Sequence, residues 1–244
     1  MLRSALTTAA THALARWTPF LDTELHTLRG LVRPGDVCVD VGAAAGLYSQ
    51  ALSQLVGPTG TVHSIEPLAF SHPVWSRVLG AWKRPNVIRH ALALGTRTGR
   101  AAMRVPFGPH GPATSRSFLD SDTCGLGSNA EYCYHVDMLV EANTLDGFRT
   151  DADLPRLDFL KIDVEGGELH VLQGGQQTIE VFRPTMLIEI EARHIERYAY
   201  SPDDVVRWLT AHGYRMYAWR HGWHDVNRVC PHANNYLFQP AGKA

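Results

Sequence analysis

The sequence predicts a doubly wound α/β domain on a mostly parallel sheet, with a helical segment ahead of it and an inserted β-hairpin or loop region. Short apolar runs alternate with amphipathic stretches, which implies parallel strands joined by right-handed crossovers. Glycines mark the first strand-to-helix junction. Acidic residues stand at the carboxyl ends of several apolar runs, the edge along which open α/β sheets bind ligands.

Trp17, Leu21, Leu25 and Leu28 recur at steps of four, four and three, predicting an amphipathic helix within a segment 1–30 that ends near Gly30 and the "RPGD" turn. Residues 31–244 are read as one domain. "VCVDV" (37–41), the helix "LYSQALSQLV" (47–56), the turn "GPTG" and "TVHSIE" (61–66) begin the alternation. Further strands are predicted at "NVIRHAL" (86–92), "LDFLKID" (157–163), "TMLIEIE" (185–191), "YRMYAW" (214–219) and "NYLFQ" (235–239). "AAMRVPF" and "EYCYHVDMLV" depart from the pattern and are expected to pair as extra strands. The Gly/Pro/Ser-rich stretch 108–130 between them is long enough to suggest a loop that covers substrate.

The chain has 244 residues, of which 45% are hydrophobic and 19% charged, enough to bury a sizeable core. With 23 basic against 24 acidic side chains there is no electrostatic footprint for nucleic acid or an anionic membrane. The expected partner is a small molecule selected by a pocket. Cys38, Cys124, Cys133 and Cys230 show no metal-ligand spacing and read as reduced structural thiols. No apolar run reaches the length of a membrane span, so the expected location is cytoplasmic. Lysine occurs only at Lys83, Lys161 and Lys243, a bias typical of GC-rich coding sequence.

"DVCVDVGAAAGLYSQ" puts Asp40, Gly42 and Gly46 at a strand-to-helix junction, where a cofactor can approach the backbone and a helix N-terminus. A dinucleotide fingerprint from Gly42 needs glycine at positions 44 and 47; the chain has Ala44 and Leu47. An NAD-linked oxidoreductase is therefore disfavoured. The spacing resembles the first motif of Rossmann-like S-adenosylmethionine methyltransferases, with Ala44 as its one departure. Glu66, 24 residues after Gly42, ends the second strand, where a carboxylate can accept both hydroxyl protons of a ribose. Asp40, Gly42, Gly46, Tyr48 and Glu66 form the expected cofactor-binding set.

"LDFLKIDVEGGELHVLQGG" resembles the signature of FkbM-type methyltransferases, roughly "hKIDVEGxExxVLxG". "TLDGF" (144–148) ahead of it and "RPTMLIEIE" (183–191) after it fit the same pattern, and the resemblance spans about residues 35–240. It implies a class I (Rossmann-like) methyltransferase fold, S-adenosyl-L-methionine as cofactor, and transfer to a hydroxyl oxygen.

Asp163 ends the "FLKID" strand and is the expected reaction centre. Glu165 and Glu168 are expected in the first turn of the next helix, where each carboxylate complements the helix dipole by about 0.3 to 1 kcal/mol. An alcohol is a poor nucleophile while protonated, so the site needs a base or a divalent cation. Asp163 and Glu189 are the candidate ligands for Mg²⁺ or another hard cation, and Glu191 or His194 the candidates to help remove the proton. The alternative for Glu189 and Glu191 is hydrogen bonding within the acceptor pocket, and for His194 an ordinary surface position.

Trp75, Trp82, Trp219 and Trp223 with 13 histidines suit a saccharide acceptor, for example a mannoside of methylated mannose polysaccharides. A polyketide alcohol is the alternative, and a noncatalytic small-molecule-binding module is the alternative of another class. The acidic strand ends argue against that last reading.

Overall fold

The computed structural model describes residues 23–68, 84–109, 111–121, 123–127, 132 and 134–242. Trp17, Leu21, Trp75, Trp82 and Cys133 lie outside the described residues. The described part of the N-terminal segment, Thr23–Gly30, is a 3-10 helix rather than an α-helix. Leu25 and Leu28 are nonetheless buried, so the apolar spacing identified the face that packs.

The main sheet is assembled from β1 (Val37–Val41), β2 (Thr61–Ile65), β3 (Val87–His90), β9 (Phe159–Ile162), β10 (Thr185–Glu189), β11 (Tyr214–Trp219), β12 (Trp223–Val226) and β13 (Asn235–Pro240). Its order is β12-β11-β13-β10-β9-β1-β2-β3. β3, β2, β1, β9 and β10 run parallel, whereas β13 is antiparallel to β10 and β11. From β1 the chain builds outward to β3, then returns to the other side of β1 for β9 and β10. The order therefore reverses between β1 and β9, the switch point at which such sheets open a ligand crevice.

Side chains alternate across this sheet. Cys38 packs with Leu28, Leu52 (from α1, Leu47–Val56), Val62 and Phe159 on one face. Val39, Val41, Leu160, Ile162 and Ile188 pack on the other, as the two-residue period of a strand requires. Burying one such Leu or Ile fully contributes about 1.5–3 kcal/mol, which fixes register: a one-residue slip would exchange the two faces.

Two short helices, α2 (Leu145–Asp151) and α4 (Gln176–Phe182), explain "TLDGF". The Thr144 hydroxyl caps α2 by accepting from Gly147 N at 2.9 Å. Asp146 accepts from the Thr178 amide and hydroxyl at 2.7 and 2.6 Å. This part of the pattern is a helix cap and a strut.

The predicted hairpin forms as β5 (Gly99–Gly108) against β8 (Tyr134–Asn143), antiparallel from Gly99↔Ala142 to Phe107↔Tyr134. It is larger than a hairpin. The two-residue strands β4 (Ala93–Leu94), β6 (Gly111–Pro112) and β7 (Phe118–Leu119) complete a second, five-stranded sheet. Two residues carry no periodic signal, so the sequence could not announce them. Among the described residues no helix is long and apolar enough to cross a membrane.

Candidate active site

A cleft of about 260 Å³ opens where β1 and β9 end, walled by the main sheet on one side and by residues 114–121 of the second sheet's segment on the other. Gly42, Glu66, Asp163 and Glu189 of the predicted set line it, together with Glu165 and Arg116.

Gly42 has φ +79°, and a Cβ there would lie 1.7 Å from the carbonyl oxygen of Asp163. Only glycine permits this approach. Ala44 takes the left-handed conformation at φ 45°. Its amide donates to Glu66 Oε2 at 2.9 Å, while Leu68 N donates to Oε1 at 2.8 Å. Glu66 thus ties the glycine loop to the end of β2, and burial raises its pKa despite both amides.

Asp40, Gly46 and Tyr48 do not line the cleft. Asp40 is buried behind it, accepting from Ser49 Oγ at 2.6 Å, and burial pushes its pKa up to about 6. Period-two alternation points Asp40 away from the crevice and toward α1. Gly46, with φ 87°, is the N-cap of α1. Tyr48 is buried, with the Lys161 ammonium 4.9 Å from its ring centroid.

Lys161, which no spacing marks, is fully buried beside Asp163. Its Nζ donates to Asn235 Oδ1 at 3.0 Å and stands 3.5 Å from Asp163 Oδ2. Burial opposes ionisation of Asp163, but Lys161 and a hydrogen bond with Glu189 outweigh it and hold its pKa below the usual carboxylate range. Glu189 moves the other way, well above its ordinary value, through burial and the charge of Asp163. Across this pair Glu189 keeps the proton and donates to an ionised Asp163.

Glu165 corrects the expectation of a helix first turn. The helix α3 spans Glu168–Gly174, and Glu165 lies before it with φ 59°. It is buried and accepts from Arg116 Nη1 at 3.1 Å. His194 Nδ1 stands 3.2 Å from its other oxygen. Burial raises Glu165 to about 8, although Arg116 pulls it down. Glu168 does open α3. Its Oε1 accepts from Gly166 N at 2.9 Å, closing the turn, and burial pushes it to about 7. Gly166, at φ +102°, is itself obligatory because a Cβ would meet the His194 carbonyl oxygen at 2.4 Å.

Glu191 and His194 stand beside the cleft and do not line it. Glu191 accepts from Arg193 Nε at 2.5 Å and Asn234 Nδ2 at 2.7 Å. His194, on α5 (Ala192–Ile195), is buried, and burial with the neighbouring Arg116 lowers its pKa to about 3. Such an imidazole stays neutral and is a poor proton acceptor at neutral pH, with one ring nitrogen left as an acceptor. Glu165, Glu189 and His194 can each offer one ligand atom, all within 4.8 Å of one another. That set shares Glu189 with the predicted pair and holds Glu165 and His194 in place of Asp163. Trp219 and Trp223 pack on each other at 5.3 Å across β11 and β12, outside the cleft lining.

The family model described as methyltransferase FkbM domain matches residues 40–216. No curated protein matches the chain in sequence. The structure is similar to the FkbM methyltransferase of Methylobacillus flagellatus KT, at 18% identity and a TM-score of 0.50, over 89% of this chain and 50% of that one. The chain thus spans half the length of that protein. It is also similar to an S-adenosylmethionine-dependent O-methyltransferase of Thermotoga maritima (11% identity, TM-score 0.46, 92% of this chain and 67% of that one). A third is Aeropyrum pernix fibrillarin with natively bound S-adenosyl-L-methionine (16% identity, TM-score 0.46, 88% and 72%). With the family model covering well over half of its residues, the chain belongs to the methyltransferase FkbM family, on the Rossmann-like fold of class I methyltransferases.

Proposed function

We propose that the chain is an S-adenosylmethionine-dependent O-methyltransferase acting on a saccharide hydroxyl, with a mannoside of methylated mannose polysaccharides as a concrete acceptor, assisted by a divalent cation. The observation that carries this reading is the meeting of the Gly42 loop, Glu66 and the acidic ends of β9 and β10 in one cleft at the switch point.

The fit to the cofactor rests on charge and shape. Glu66, Asp163, Glu165 and Glu189 share a cleft lining with Arg116, and burial raises Glu66, Glu165 and Glu189 above their ordinary values. A cationic ligand beside them favours their ionised forms. Ile65, Pro67, Leu92 and Leu94 supply an apolar wall suited to a purine. S-adenosylmethionine, when bound, supplies an electrophilic sulfonium methyl.

The chain's own residues position the alcohol and take its proton. Asp163, ionised and lining the cleft, is the general base. A base of low pKa removes an alcohol proton poorly by itself, so a cation that acidifies the hydroxyl complements it. Glu165, Glu189 and His194 are the residues suited to hold that cation, and Asp163 is adjacent through its hydrogen bond with Glu189.

Transfer of labelled methyl from S-adenosylmethionine to a panel of mannosides and polyketide alcohols, with and without EDTA, tests the reading. Labelling of mannosides that EDTA abolishes supports it. Labelling of polyketide alcohols alone replaces the acceptor, labelling indifferent to EDTA removes the cation, and no labelling at all favours a noncatalytic binding module.

A further inference from the structure

Arg116 closes the short helical turn Thr114–Arg116, between β6 and β7, and crosses from the second sheet to the signature turn. Its Nη1 lies 3.1 and 3.4 Å from the two oxygens of Glu165 and 3.5 Å from His194 Nε2. A guanidinium only donates, so Arg116 at 3.5 Å faces the Nε2 lone pair, which leaves the ring proton on Nδ1, 3.2 Å from Glu165 Oε2. Arg116 therefore engages the Glu165 oxygens and the imidazole lone pair that a divalent ion at Glu165, Glu189 and His194 would need. An arginine cannot lose its charge to make room, the acceptor nitrogen of the imidazole has a single lone pair, and two cations brought this close repel.

Resting on the cation part of the proposed function, we infer that Arg116 is the resident cation of this centre, and that a divalent ion binds only as Arg116 withdraws. Thr114, Ser115 and Ser117 of the same segment line the cleft. Ion loading is thereby linked to the wall against which the acceptor sits: whatever moves Arg116 outward favours the ion, and the ion favours the moved wall. Farther along, the segment is anchored, since Arg197 lies 4.0 Å over the Phe118 ring and Tyr198 Oη donates to the Leu119 carbonyl at 3.1 Å. The hinge of the movement falls before Phe118.

Mn²⁺ titration followed by electron paramagnetic resonance tests this on the wild type, Arg116→Gln, and Arg116→Gln with Glu189→Gln. The account expects Arg116→Gln to bind Mn²⁺ at least about tenfold tighter than wild type, and the double variant to lose binding, a tenfold change being about 1.4 kcal/mol. Amide hydrogen exchange at residues 114–117 of the wild type, expected to quicken on adding Mn²⁺, gives a readout without a variant. Equal Mn²⁺ affinity with and without Arg116, or exchange unchanged by bound Mn²⁺, overturns the competition while leaving the ion. Mn²⁺ bound by none of the proteins overturns the ion as well, and methyl transfer then stands or falls by its own assay.

Discussion

Gly42 and Asp163 meet backbone to backbone where the sheet order reverses, with the Gly42 α-carbon so placed that any Cβ would stand 1.7 Å from the Asp163 carbonyl oxygen. The glycine loop is thus seated directly on the strand end that carries Asp163. Gly42→Ala must push the two apart, and it also strains a backbone at φ +79°. The expected cost exceeds about 2 kcal/mol, read as a lowered midpoint in urea, together with weakened binding of S-adenosylhomocysteine.

Ala44 is the opposite case. Its φ of 45° is a conformation that costs an L-residue with a side chain roughly 1–2 kcal/mol and glycine almost nothing. Ala44→Gly should therefore leave stability unchanged or raise it by up to about 1 kcal/mol in chemical denaturation, with the Glu66 contact preserved. A marked loss of stability would mean that the Ala44 methyl packs to more effect than its backbone is strained.

Lys161 holds Asp163 ionised. Replacing it with Met removes the buried positive charge, so the pKa of Asp163 rises and the acid limb of kcat/KM against pH moves to higher pH. The variant should also lose stability, by about 3–5 kcal/mol if the remaining carboxylate stays charged and less if it protonates. A pH profile superimposable on wild type would dissociate Lys161 from the proposed base.

His63 and His90 stack at 5.3 Å with Nδ1 and Nε2 3.1 Å apart, edge-on to Phe148. Burial, then the neighbouring His90, lowers His63 from 6.5 to about 4. The unfolded chain binds more protons between those values, so this contribution to stability is complete above about pH 6.5 and fades as pH falls toward 4. Thermal unfolding from pH 7.5 to 4.5 should show that loss, and His63→Leu should flatten the slope.

Most of the parallel sheet was legible because its strands are continuous apolar runs, and α1 was found at its observed bounds from spacing alone. The signature placed Asp163 and Glu189 at adjacent strand ends, and both line the cleft. What stayed hidden depends on geometry that spacing does not carry. Asp40 and Gly42 are two residues apart, yet one faces α1 and the other the crevice, because the strand ends between them. Glu165 looked helical until its φ of 59° turned it toward Arg116, 49 residues away in sequence. Arg116 itself lies in a segment with no periodicity, and Lys161 reads as part of a motif without any sign that its ammonium is buried.

The central claim is that Gly42, Glu66 and Asp163 build one cleft in which cofactor binding and methyl transfer use different side chains. Calorimetric titration of S-adenosylhomocysteine into wild type, Glu66→Ala and Asp163→Asn, alongside labelled methyl transfer, tests it most directly. The account predicts binding by wild type, at least about tenfold weaker binding by Glu66→Ala (about 1.4 kcal/mol), and near-normal binding by Asp163→Asn with methyl transfer lost. Failure of wild type to bind S-adenosylhomocysteine, or binding indifferent to Glu66, would contradict it.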